Sequence, residues 1–139
     1  MGDAARLKLL LDTHVWIWLT ENPRRVGQST YRTLQNQQHE IWISPISIVE
    51  ALTLAHKGKV ILHGDPMEWV AHASAGAKEA PFTSEVALST RQFPFDWDPA
   101  DRILAATALA LDLTLVTADE RLLGLANIKN LGESLIPLS

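Results

Sequence analysis

The stretch KLLLDTHVWIW (residues 8–18) decides how this chain folds. Its three adjacent leucines do not alternate with polar residues, so residues 7–11 are typical of a strand buried on both faces of a sheet. Asp12 follows them at once, and the Trp-rich segment as far as Leu19 predicts a helix. A carboxylate directly after a buried strand costs free energy unless it reaches water, a helix cap or a cation. Asp12 therefore needs one of these three partners.

The composition favours one domain over residues 1–139, with residues 1–5 expected to be flexible. Hydrophobic residues make up 47% of the 139, enough for a substantial core. The chain has no cysteine, which excludes disulfides and thiolate chemistry and, with no signal-like start, indicates the cytoplasm. No apolar run reaches the roughly 18 residues of a membrane span. The net charge of −4 disfavours a surface built to coat polyanions, so nucleic acid binding would need metal ions or a local basic rim.

Strands and helices are predicted to alternate along the chain. Strands are expected at residues 7–11, 40–43 and 113–116, with a short extended piece at 81–83 and a last strand at 128–131 or 135–136. Further helices are expected at 28–38, 45–55, 66–75, 84–91, 99–112 and 119–123. Because the apolar strands do not alternate, they favour a parallel sheet covered on both faces. The sequence therefore predicts an α/β fold, a three-layer α/β/α sandwich.

Four carboxylates are predicted to meet at one edge of this sheet. Asp12 and Asp119 each follow a strand, and the carboxyl ends of parallel strands share an edge. Glu50 and Asp101 lie close to the starts of helices that should begin near it. Two carboxylates about 5 Å apart repel by about 3 kcal/mol at an effective dielectric near 20, so the cluster needs a cation or raised pKa values. Oxygen ligands without cysteine select a hard ion, Mg²⁺ or Mn²⁺.

Each acid also has a purely structural explanation. Asp12, Asp98 and Asp119 stand at the starts of predicted helices and are typical N-caps, an interpretation that is favoured for Asp98 and, when it is taken alone, for Asp119. Asp101 suits the positive end of a helix, and Glu50 fits a solvated helix face. The combination nevertheless favours a metal site, in which one or two ions activate a water and stabilise the leaving oxygen of a phosphodiester.

Four segments together resemble the PIN-domain ribonucleases, and among them the VapC-type toxins. They are LLLDTHVWIW (9–18), SPISIVEALTLAHKGKV (44–60), WDPADRILAATAL (97–109) and LTLVTADERL (113–122). Their order and spacing cover nearly the whole chain. The resemblance implies a sheet of four or five parallel strands, Mg²⁺- or Mn²⁺-dependent endoribonuclease activity, a homodimer, and a cognate antitoxin whose tail enters the active-site groove.

The resemblance also implies roles for individual residues. The family's catalytic, metal-binding acids correspond to Asp12, Glu50, Asp101 and Asp119. Thr117 matches a hydroxyl residue that supports the site, with a merely structural strand-end threonine as the alternative. Thr13 is expected to support the site through its hydroxyl or its backbone, and Asp98 is expected to be a further supporting residue.

Basic residues near the site are candidates for contacts with RNA. Arg102 follows a proposed catalytic acid and either balances the charge of the pocket or contacts phosphate. Lys57 and Lys59 belong to a set of possible rim residues that also contains Arg24, Arg25 and Arg91. Each of these side chains is also typical of a solvated helix end.

Three further residues have open roles. His14 is common in the first motif, and packing or simple exposure is its alternative to a role as a base. Asp96 departs from the family, in which many relatives carry histidine two residues before the Asp-Pro pair. Trp97 either stacks on a base or packs in the core.

The sequence thus leaves hypotheses of different classes. The main one is a toxin that hydrolyses RNA phosphodiester bonds through metal-activated water, and whose antitoxin supplies an Arg or Lys to the acidic pocket. A second is a catalytically silent PIN-like module that binds a protein, in which the acids only cap helices. A third is a metal-dependent nuclease or phosphatase that acts on a substrate other than RNA.

Overall fold

The first strand lies at the centre of a five-stranded parallel sheet. The computed structural model describes residues 6–132. The strands are β1 (Lys8–Leu11), β2 (Glu40–Ile43), β3 (Lys78–Glu79), β4 (Thr114–Val116) and β5 (Lys129–Leu131). They lie side by side in the order β3-β2-β1-β4-β5, and every pairing is parallel. The predicted parallel α/β architecture is confirmed.

Helices connect these strands. They are α1 (Thr13–Glu21), α2 (Gln28–Gln35), α3 (Pro45–His56), α4 (Pro66–Ala73), α5 (Ser84–Ser89), α6 (Pro99–Leu111) and α7 (Glu120–Leu123), with 3₁₀ turns at Pro23–Arg25 and Thr90–Gln92. Two helices that bear proposed site residues begin at an N-cap followed by proline. Ser44 Oγ accepts a hydrogen bond from Ile46 N at 3.1 Å, and Asp98 Oδ1 accepts one from Ala100 N at 2.9 Å. The cap satisfies an end N–H and proline has no N–H to lose, so both helices start where the sequence predicts.

The three central leucines face both layers of helices. Leu9 and Leu11 pack in one buried cluster with residues of α1 and α4, including Trp16 and Trp69, whose ring centres lie 4.9 Å apart. Leu10 packs in a second cluster, formed mainly by α5, α6 and α7. Because successive strand residues point to opposite faces, the apolar strand β1 packs against the helices on both faces of the sheet.

Four predicted boundaries are wrong. The helix expected to reach Leu19 continues to Glu21. The extended piece expected at 81–83 lies earlier, at β3, because Pro81 has no N–H with which to continue the ladder. The helix expected to reach residue 38 ends at Gln35, since the Asn36 side chain accepts a hydrogen bond from the backbone N–H of Gln38 in a turn. The helix expected to reach residue 75 ends at Ala73, just before a turn at Gly76 with φ +79°.

Other predictions are settled only in part. The helix expected at 84–91 is α5 followed by a 3₁₀ turn. The last strand forms at the first of the two expected places, whereas 135–136 and the flexible start at 1–5 lie outside the described residues. Within residues 6–132, none of the helices is both long and apolar enough to cross a membrane. A single domain over 1–139 stays a prediction.

Candidate active site

The carboxyl edge of the sheet opens into a pocket of about 530 Å³. Its acidic lining side chains are Asp12, Glu50, Asp98, Asp101 and Asp119, and its basic ones are His14, Arg25 and Lys59. The four acids that the sequence predicted to meet at one edge therefore line the same pocket.

Asp12 takes no part in capping the helix that it precedes. Its carboxylate makes no hydrogen bond to the first turn of α1 and instead accepts one from Thr117 Oγ1, at 2.7 Å from Oδ2. Only 7% of the residue is exposed. Burial raises the pKa of Asp12 to about 6; Asp101 and Glu50 add to this shift, and the Thr117 hydroxyl opposes it. Asp12 is thus a buried carboxylate for which the cap explanation fails.

Two other acids do act as caps while they line the pocket. Asp98 caps α6, as the sequence indicated. Asp119 caps α7, because its Oδ1 accepts a hydrogen bond from the backbone N of Arg121 at 2.9 Å. Each of these two residues therefore caps a helix and also lines the pocket.

Glu50 and Asp101 are partly buried, and burial is the main reason that the pKa of each is raised. Asp101 adds to the shift in Glu50, whereas the Thr13 hydroxyl opposes it. Glu50 Oε1 is fully buried and has no hydrogen-bond partner among residues 6–132. A buried carboxylate oxygen without a partner is expensive, so this atom is suited to receiving a cation.

Arg121 supplies a counter-charge that the sequence analysis missed. Its Nη2 donates to Asp101 Oδ2 and to Asp119 Oδ2, each at 2.9 Å. These contacts oppose the rise in the pKa of Asp101 and lower the pKa of Asp119. One sequence feature could have predicted this contact: Arg121 lies two positions after the N-cap Asp119, and an arginine side chain at that position can reach back to the carboxylate.

Comparisons with known proteins identify the family. The PIN domain pattern matches residues 9–128. The chain belongs to the PIN-domain family. It is 30% identical over 116 residues to Ribonuclease VapC22 of Mycobacterium tuberculosis, a match that covers 82% of this chain and 88% of that protein.

Solved structures show the same PIN-domain fold. VapBC2 from Rickettsia felis, bound to a DNA fragment from its promoter, matches with a TM-score of 0.67 and 17% identity over 90% of this chain and 98% of the other. A toxin-antitoxin complex from Klebsiella pneumoniae matches with a TM-score of 0.59 and 18% identity over 89% and 96%. The predicted PIN-like architecture is thereby confirmed.

The acids of this PIN domain match the ligand preference of Mg²⁺ or Mn²⁺ without forming a closed cage. All of them offer oxygen ligands, and Glu50 has a buried oxygen without a hydrogen-bond partner in the described part of the chain. Among residues 6–132, however, no three His, Asp or Glu side chains converge closely enough to hold an ion. Arg121 and the raised pKa of Asp12 moderate the repulsion in this arrangement. The residues fit a divalent ion in type, and binding requires them to draw together.

The proposed substrate-binding residues differ in whether they line the pocket. Arg102 is not among the lining residues of the pocket: its Nη2 donates to Thr90 O at 3.0 Å, and its guanidinium carbon lies 4.2 Å from the centre of the Phe95 ring. Arg121, rather than Arg102, forms ion pairs with Asp101 and Asp119, and the role of Arg102 stays a prediction. Lys59 lines the pocket, and Lys57, exposed at the end of α3, does not.

The predicted supporting hydroxyls join separate elements at this edge. Besides contacting Asp12, Thr117 Oγ1 accepts a hydrogen bond from Asp119 N at 3.0 Å. Thr13 Oγ1 donates to Ser47 Oγ at 3.0 Å, which links the first turns of α1 and α3. Their roles in activity stay predictions.

The three residues with open roles have distinct surroundings. His14 is exposed, lines the pocket and lowers the pKa of Asp12 and of Glu50. Trp97 is half-buried and stacks on Phe93, with ring centres 6.5 Å apart. Asp96 is exposed and is not among the lining residues of the pocket.

Proposed function

We propose that this protein is a Mg²⁺- or Mn²⁺-dependent endoribonuclease and the toxin component of a toxin-antitoxin pair. The observation that carries the proposal is that Asp12, Glu50, Asp101 and Asp119 line one pocket of a PIN domain. The relative from Mycobacterium tuberculosis, named a ribonuclease, supports RNA as the substrate.

In this proposal the four acids hold the divalent ion and are the catalytic residues. A bound ion would lower the pKa of an attacking water and stabilise the leaving oxygen. Thr117 keeps the Asp12 carboxylate in place, and Thr13 and Asp98 fix the helix starts that bear the other ligands. The cleavage is hydrolytic and forms no covalent bond with the protein.

In this proposal the RNA backbone lies along the non-acidic polar side chains of the pocket. Arg25 and Lys59 provide positive charge beside the acids, and the His14 ring lies in the same lining. The Arg25 guanidinium carbon lies 4.6 Å from the centre of the Trp18 ring, which restrains a long side chain at the rim. Phosphates of the RNA would contact these residues, so the chain needs no positive net charge to bind RNA.

Cleavage of a fluorescent RNA in Mg²⁺ or Mn²⁺ tests the function. We expect Asp12→Asn to lower the rate by about 100-fold or more, since a group that stabilises charge in the transition state is lost. Excess EDTA should abolish cleavage. The matched control is Asp112→Asn, which makes the same change at an exposed helix end where the residue has φ 55°, a conformation that asparagine tolerates.

Full activity of Asp12→Asn, or of wild type in EDTA, would refute the proposal. Substrates other than RNA are tested with single-stranded DNA and small phosphate esters under the same conditions. Metal-dependent cleavage of DNA or an ester, with RNA left intact, would favour the third hypothesis instead.

We also propose a cognate antitoxin, a homodimer and a cytoplasmic location. The similar structures from Rickettsia felis and Klebsiella pneumoniae are VapBC or toxin-antitoxin complexes, which supports a protein partner. Such an antitoxin would place an Arg or Lys among the acids, where one cation gains several charge-assisted hydrogen bonds. Light scattering of the purified protein tests the dimer, and co-purification with the product of the neighbouring reading frame tests the antitoxin.

A catalytically silent binding module is the second candidate. It is favoured by the ion pairs that Asp101 and Asp119 already make with Arg121, and by the open arrangement of the acids in the described chain. Calorimetric titration with Mn²⁺ separates the two, because the silent module binds none. Binding that is lost in Asp12→Asn favours the nuclease.

A further inference from the structure

Arg121 occupies oxygens of two proposed metal ligands. Its Nη2 bridges Asp101 Oδ2 and Asp119 Oδ2, both at 2.9 Å, and its Nε lies 3.3 Å from Asp119 Oδ1. Its guanidinium carbon also lies 5.1 Å from the centre of the Trp97 ring. The side chain is thus held by two carboxylates and an aromatic face at the edge of the pocket.

A divalent ion and this guanidinium compete for the same atoms. Arginine keeps its charge at any pH relevant to a protein, and the two carboxylates raise its pKa further. Arg121 therefore cannot give way by losing a proton. An ion that binds Asp101 and Asp119 through these oxygens has to exchange with the guanidinium.

The exchange is sterically simple and leaves Arg121 next to the substrate. Half of its side chain is exposed, so rotation about side-chain bonds releases it without a change in the backbone of α7. The planar fork of N–H groups that now grips carboxylates matches a phosphate equally well. The scissile RNA phosphate is the anion that would approach these acids once an ion is bound.

We propose that Arg121 binds an RNA phosphate beside the metal site, and that Asp101 and Asp119 hold its guanidinium until a divalent ion takes their oxygens. The inference rests on the function proposed above, because it needs both the ion and RNA. It assigns to Arg121 the phosphate contact that the sequence suggested for Arg102.

Metal affinity without RNA is the first test. Calorimetric titration with Mn²⁺ compares wild type, Arg121→Gln and Arg32→Gln, a control that removes the same charge from an exposed residue of α2. We expect Arg121→Gln to bind Mn²⁺ roughly three- to tenfold more tightly, since a competing ion pair is removed, and Arg32→Gln to match wild type. Equal or weaker binding by Arg121→Gln would overturn the exchange.

RNA affinity is the second test. Anisotropy of a fluorescent RNA is measured in Ca²⁺, under conditions in which a gel shows that the RNA stays intact. Arg121→Gln should bind the RNA roughly three- to tenfold more weakly than Arg32→Gln, because one phosphate contact is lost. Identical RNA affinity of these two variants would overturn the phosphate contact.

A measurement on wild type keeps the inference testable if Arg121→Gln does not fold. The NMR signal of the Arg121 Nε–H should shift on addition of Mg²⁺, and an unmoved signal at saturating Mg²⁺ would contradict the exchange. The two proposals fail differently. If neither wild type nor the variants bind Mn²⁺, the metal-dependent function fails and this inference with it; if all bind it equally, the function stands and only this inference fails.

Discussion

Asp12 is a buried carboxylate that the fold does not need. It makes no cap bond to α1, and its environment favours the protonated form. The hydrogen bond from Thr117 compensates only part of the cost of burial. A residue that lowers stability in this way is typical of a functional site, where stability is given up for chemistry.

The metal-free protein should therefore become more stable when Asp12 is replaced by asparagine. The pKa of Asp12 in the folded chain, about 6, lies above its ordinary value of about 3.9. The folded state then binds the proton more tightly, so the penalty is absent below about pH 4, grows between pH 4 and 6 and is complete above pH 6. We expect Asp12→Asn to raise the free energy of unfolding by about 1–3 kcal/mol at pH 7 and by nearly nothing at pH 4.

Urea unfolding in EDTA at the two pH values measures this difference. Asp112→Asn is the control, because the Asp112 side chain is 85% exposed and pays no comparable cost of burial. A wild type that is as stable as Asp12→Asn at pH 7 would show that the carboxylate carries no such penalty.

At the scale of elements, the helix starts at the site were predictable and the short edge strand was not. Ser44-Pro45 and Asp98-Pro99 specify a cap and a first turn locally, so the sequence alone located α3 and α6. β3 has only two exposed residues, Lys78 and Glu79, and no apolar pattern marks it. Its position depends on pairing with β2, which is a tertiary contact.

Thr117 joins three elements, and its loss should reduce activity more than stability. Its hydroxyl donates to Asp12 after β1 and accepts from the backbone N of Asp119 before α7. Valine has almost the same shape as threonine but can neither donate nor accept these hydrogen bonds. We expect Thr117→Val to lower RNA cleavage by about tenfold to 100-fold, because an unsupported carboxylate orients an ion poorly. The free energy of unfolding should fall by about 1–2 kcal/mol.

Thr107→Val is the matched control for this prediction. Thr107 is equally buried, and its hydroxyl donates to Ile103 O within α6. It should lose a similar amount of stability in urea unfolding while its rate of RNA cleavage stays that of wild type. Equal rates for the two variants would show that Thr117 has no role beyond packing.

At the scale of the whole molecule, the sequence predicted that the acids lie at one edge of the sheet. It did not predict that Arg121 is the residue that pairs with them. Parallel strands deliver their carboxyl ends to one edge, so Asp12 and Asp119 follow from the strand pattern alone. Arg102 and Arg121 each lie one or two residues after an acid, and the sequence does not say which turns inward. The packing of α5 and its following turn on α6 draws Arg102 to the Thr90 carbonyl, whereas Arg121 reaches Asp101 from another element.

The edge strand of the sheet also supports the site, through a glycine that admits no side chain. Gly132 follows β5 with φ +152°, and a Cβ built on it would lie 1.8 Å from the backbone oxygen of Thr117. Gly132→Ala must therefore push β5 away from the residue that holds Asp12. We expect the free energy of unfolding to fall by about 2–4 kcal/mol and RNA cleavage to fall with it.

Gly124→Ala is the control, since Gly124 has φ −81° and a Cβ there would meet its nearest atom at an ordinary 3.4 Å. Thermal unfolding compares the two variants. An unchanged unfolding temperature for Gly132→Ala would show that the close contact between Gly132 and the Thr117 backbone does not constrain the protein.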